Sequence, residues 1–74
     1  MTTFTVAGET RTDEDLLIMI PIHYREHFEG HAFRDMAHLS RALMFANCAN
    51  EARYYRKPWL VEQNERELKH QLAQ

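Results

Sequence analysis

The clearest pattern in the chain is a run of small and apolar residues recurring every three or four positions: Phe33, Met36, Ala37, Ser40, Met44, Cys48, Ala52 and Tyr55. That period is the one an α-helix needs to place side chains on one face, so it predicts a long central helix from about His31 to Arg56. Leu39, Leu43 and Ala46 widen the stripe enough for two neighbours to pack against it. Pro58 must end this helix, and its fixed φ suits the first turn of another. The next helix is expected from Trp59 to about Leu72, with Val61, Asn64, Leu68 and Leu72 as a thinner stripe. Its glutamates, Glu62, Glu65 and Glu67, precede Lys69 and His70, an order that complements the helix dipole.

The first half is less regular. Thr2 to Ala7 alternates, with Phe4 and Val6 on one face and Thr3 and Thr5 on the other, and Gly8-Glu9 offers a turn. Residues 1–12 therefore read as a strand-forming or flexible arm. Thr12-Asp13-Glu14-Asp15 has the hydroxyl and carboxylates of a helix start. The run that follows, Leu16 to Ile20, is apolar on every side, and Pro21 biases Ile20 toward extended backbone. Five residues fit either a short helix or a buried strand, and the strand is favoured because it would bury both faces. Pro21 then opens a short helix over Ile22 to Glu29, with Gly30 positioned as its left-handed cap. The fold class that results is a small α+β domain, mainly α, with a long central helix packed on a C-terminal helix and a short one.

Seventy-four residues hold one domain and no large multi-part active site. Chain entropy is only narrowly offset by burial at this size, so a partner can contribute to stability. Nine basic and eleven acidic side chains give a net charge of −2, which removes the broad positive field of a dedicated nucleic-acid binder. The acids Asp13, Glu14 and Asp15 lie far along the chain from the cations near position 56, so a surface dipole is expected. One cysteine, Cys48, forms no internal disulfide and suits a reducing cytoplasm; on the apolar stripe it reads as a small core residue, as do Met36 and Met44. Met19, next to a strand edge, suits an adaptable contact. The first residues carry no basic, apolar leader, and the expectation is a protein acting in the cytoplasm, that of a host cell if the gene is a phage's.

Three constellations bear on chemistry. His23-Tyr24-Arg25-Glu26-His27 spells H-x-x-E-H and resembles the inverted zinc metalloproteases in those five letters alone. Those enzymes need a remote third ligand and a substrate chamber, for which this chain is too short, so no catalytic residue and no cofactor is assigned. His31 continues the series His23, His27, His31, which would share a face and attract a transition metal only if a helix ran through Gly30. Arg53-Tyr54-Tyr55-Arg56-Lys57-Pro58-Trp59 concentrates three cations and three aromatics at a helix corner, the residue types that dominate protein interfaces. Arg53, Tyr54, Arg56, Lys57 and Trp59 are the candidate partner-binding residues. The plainer account places Tyr55 on the core stripe and uses Trp59 to staple the corner to the core.

In size, compactness and lack of enzyme motifs the chain resembles the short proteins with which bacteriophages take over host machinery, notably those that bind bacterial RNA polymerase. That resemblance implies a non-catalytic regulator docking on a larger protein, with an N-terminal strand open to extend another sheet. The alternatives are a small DNA-binding regulator, whose arginines Arg25, Arg34, Arg41, Arg53 and Arg56 are spread along the helices, and a histidine-rich metal protein.

Overall fold

The computed structural model describes all residues from Met1 to Gln74. Strand β1 (Thr3–Val6) turns back through Ala7 and Gly8 into β2 (Glu9–Thr12). Val6 pairs with Glu9, and both turn residues have positive φ, 53° and 82°, so this is the two-residue turn whose twist matches a hairpin. A 3-10 turn at Ile22–Tyr24 runs into α1 (Arg25–Phe28), and Gly30, at φ 71°, redirects the chain into the two-residue β3 (Ala32–Phe33). β3 pairs parallel to β1, giving the order β2-β1-β3. Helices α2 (Met36–Tyr54) and α3 (Pro58–Leu72) complete the chain as a hairpin.

Mainly α with a small N-terminal sheet is the architecture expected from the sequence, but four elements differ. The central helix starts at Met36 rather than His31, because Asp35 caps it and Ala32–Phe33 pair with β1 as β3. β1 is the central strand, with a neighbour on each side, so it has no open edge to lend to another sheet. The polar β2, ETRT, has no apolar alternation to announce it. Leu16 to Ile20 is neither a paired strand nor a helix. The Thr12 hydroxyl accepts from the Asp15 N–H (3.0 Å) and the turn closes with Leu16 N–H on the Thr12 carbonyl, but Leu17 at φ 53° stops it from propagating. Beyond it, burial alternates: Ile18 and Ile20 face inward, Leu17 and Met19 outward.

The core is one cluster. Phe4 and Val6 from the inner face of β1 meet Phe28, Phe33, Ile20 and Tyr24, with Leu39, Ala42, Ala46 and Ala49 of α2 and Leu68 of α3 closing it. Phe33 is central, with its ring edge-on to Phe4 at 5.8 Å and tilted against Phe28 at 5.6 Å. The buried face of α2 is therefore an alanine face. Met36, Ala37, Ser40, Met44, Cys48 and Tyr55, expected on the core stripe, are exposed. The physical reason is size: alanines let α2 approach its neighbours closely, and the larger apolar residues on its other face have nothing opposite them. The α3 stripe is as expected, with Leu68 buried and Val61, Asn64 and Leu72 partly so.

Polar contacts fix the ends. Asp35 caps α2 by accepting from the His38 N–H at 2.8 Å, which holds its carboxyl below the usual range. His38 is fully buried, its Nδ1 accepting from the Arg34 N–H and its Nε2 donating to the Gln71 carbonyl, so the start of α2 is tied to the end of α3. Glu29 accepts from both the N–H and the hydroxyl of Thr3 (3.1 and 2.7 Å), fastening the end of α1 to β1.

Candidate functional site

The corner between α2 and α3 is built by a backbone motif with an unusual residue. At the end of α2 the Lys57 N–H donates to the Ala52 carbonyl (2.9 Å) and the Arg56 N–H to that of Arg53 (3.2 Å). This pair of bonds is the Schellman cap, which requires a left-handed residue that is most often glycine. Here it is Arg56, at φ 56°, where a side chain costs about 1 kcal/mol relative to glycine. Pro58 opens α3 immediately afterwards, and Lys57 is its N-cap.

The corner carries Tyr54, Tyr55 and Trp59 at 80, 66 and 64% exposure. Tyr54 and Tyr55 stack edge to face at 5.2 Å. Neither Tyr55 nor Trp59 is used by the core, so the stapling role is not what they perform. Arg56 and Lys57 are exposed and take part in no ion pair; the three pairs in the chain are Arg11 with Glu9, Arg53 with Glu65 and Arg66 with Glu62. An open groove of about 430 Å³ runs from this corner between the helices, lined by Arg53, Arg56, Lys57, Val61, Glu62 and Glu65 among others.

Arg53 has a different position from the other corner residues. Its Nε donates to the Tyr24 hydroxyl (2.9 Å), which donates to Glu65 (2.8 Å), and its guanidinium also reaches Glu65 at 2.7 Å. The guanidinium carbon lies 5.6 Å from the Tyr24 ring centroid. Burial holds the Tyr24 hydroxyl above its ordinary pKa of 10, while the hydrogen bond from Tyr24 keeps the Glu65 carboxyl below its own. Arg53, though exposed, is thus engaged in an intramolecular network joining the 3-10 turn, α2 and α3, whereas the exposed side chains outside any such network are Tyr54, Arg56, Lys57 and Trp59, with Tyr55 added. Sequence reasoning had no signal for this network, whose members lie 29 and 41 positions from Tyr24.

The histidines do not assemble. α1 ends at Phe28 and Gly30 breaks the helical path, so His23, His27 and His31 do not continue along one helix. His23 is exposed, and no three His, Cys, Asp or Glu side chains are grouped so as to hold a metal ion. His31 instead lies edge-on to Phe33 (4.6 Å) and near His38 (6.2 Å), its Nε2 buried without a partner. Burial first, and His38 second, lower its pKa below 6.5. The unfolded chain therefore takes up this proton before the folded one, so the contribution of His31 to stability is complete above pH 6.5 and is lost as pH falls through the folded value. The urea midpoint should drop between about pH 7.5 and about pH 5.5, and His31→Gln should flatten that slope. The lowered carboxyl of Glu65 enters only below 4.5. An unchanged slope in the variant would remove His31 as the cause.

No protein family, curated protein or solved structure matches the chain. No helix is long and apolar enough to cross a membrane.

Proposed function

We propose that the protein is a non-catalytic binding module that docks on a larger protein through the α2–α3 corner and modulates it. The observation that carries this reading is Arg56. A residue in left-handed backbone, where glycine would be more stable, bears an exposed, unpaired guanidinium on the corner that also carries three exposed aromatics. Retaining a side chain at a strained position favours a role for that side chain outside the fold. Tyr54 and Trp59 supply large, rigid contact area, and Arg56 and Lys57 favour an acidic partner surface. Bacterial RNA polymerase is the first partner to test, on the resemblance to phage host-takeover proteins.

Arg56→Gly separates fold from function because the two effects have opposite signs. The variant should be more stable in urea by about 1 kcal/mol while binding purified RNA polymerase less tightly. Trp59→Ala should weaken the same binding by about 2 kcal/mol, as a central aromatic anchor does. Full binding by both variants would refute the corner as the docking surface, and no binding by the wild type would remove polymerase as the partner.

A further inference from the structure

A second exposed surface lies on the segment leading to Tyr24. Leu17 and Met19 are 92 and 83% exposed, and Ile22, just past Pro21, is 75% exposed. Leaving a side chain of this kind in water forgoes about 1.5–3 kcal/mol of burial. The sequence makes Leu16 to Ile20 apolar on both faces, and the fold buries one. Glu14 and Asp15, both exposed and outside any ion pair, form the acidic end of this ridge.

The ridge and the corner match in chemistry. One is aliphatic with two free carboxylates, and the other is aromatic with two free cations, Arg56 and Lys57. The elements that carry them are also joined: Tyr24, two residues beyond Ile22, is hydrogen-bonded to Arg53, three residues before Arg56. The Tyr24–Arg53 bond thus ties the segment that carries the ridge to the helix that ends in the basic corner. Two such patches on one chain suit a second copy related by a two-fold axis, because the acidic, apolar patch of each then meets the basic, aromatic patch of the other.

We propose that two copies of this chain form a two-fold dimer in which the acid-ended ridge of each, Leu17, Met19 and Ile22, covers the basic aromatic corner of the other. The proposal rests on the reading of the corner as a contact surface, and makes self-association a competitor of partner docking. A standard interface takes about 800 Å² from each side, about a sixth of the 5021 Å² exposed by this chain.

Trp59 is the only tryptophan and lies on the corner, so it reports directly. Between about 5 and about 500 µM the sedimentation mass should rise toward twice the monomer, with the Trp59 emission moving to shorter wavelength as water is excluded. Leu17→Lys with Met19→Lys, both exposed positions whose replacement should leave the circular dichroism unchanged, should abolish the mass increase and the emission shift together. Glu14→Lys with Asp15→Lys, and separately Arg56→Glu with Lys57→Glu, should each weaken association at least about tenfold, and an equimolar mixture of the two should restore it. A constant monomer mass, a dimer that leaves Trp59 in water, a ridge variant that still dimerises, or a mixture that stays monomeric would each overturn the proposal. Partner binding is measured on the monomeric ridge variant, which keeps the corner intact, so loss of the dimer and loss of docking are read separately.

Discussion

Tyr24→Ala should leave the chain largely unfolded in water, whereas Tyr24→Phe should fold with a loss of only about 1–2 kcal/mol. Tyr24 is 1% exposed and among the largest fully buried side chains. Truncating a buried aromatic ring costs about 3–5 kcal/mol, most of the stability a chain of this size is expected to have. The phenylalanine keeps the ring and removes only the hydroxyl, and Arg53 and Glu65 retain their direct contact at 2.7 Å. That ion pair is partly solvated, so it adds little by itself. The role of Tyr24 is to place the 3-10 turn under the α2–α3 hairpin, and urea titrations of the two variants separate ring from hydroxyl. Equal loss in both would shift the weight from packing to the hydrogen-bonded network.

The second large effect is expected at the alanine face of α2. Ala46→Leu should destabilise the fold by about 1–3 kcal/mol or rearrange its packing, because Ala46 is 0% exposed and no space adjoins it for three further carbons. Met44→Gln and Cys48→Ser, two residues away on either side, should change stability by no more than about 0.5 kcal/mol. Thermal melts of the three variants check this directly. The reverse ranking would restore the methionine stripe as the core face.

That contrast shows where the sequence is informative. Pro58 and Gly30 mark boundaries through constraints on their own backbone, so α3 and the end of α1 fall close to where local chemistry puts them. The existence of α2 is legible for the same reason, from its period and from Pro58. Its buried face is not, because α2 is apolar or small on two sides, and which side is covered depends on residues distant in sequence. Hydropathy favours Met36 and Met44 over alanines, while close packing favours the alanines. β3, two residues long, and β2, wholly polar, are stabilised by pairing with β1 and carry no pattern of their own.

The candidate site was legible in composition and only partly in geometry. The concentration of Arg, Lys, Tyr and Trp around Pro58 marks the corner, and Tyr54, Arg56, Lys57 and Trp59 are exposed there. The internal engagement of Arg53 depends on Tyr24 and Glu65, which nothing local connects. The left-handed conformation of Arg56 is likewise hidden, since the sequence offers an arginine where a helix cap ordinarily signals itself with glycine. The unpaired ridge at Leu17 and Met19 was visible as an excess of apolar residues but not as a surface.

The central claim is that this chain acts by docking through its α2–α3 corner. It is tested most directly by replacing Tyr54 with a photo-crosslinking phenylalanine analogue in expressing cells, with the same replacement at the exposed Ser40 as control. One discrete adduct with a large protein is expected from position 54, apart from any adduct between two copies of the chain, reduced by Arg56→Glu with Lys57→Glu and absent from position 40. No adduct from position 54, or the same products from both positions, would contradict it.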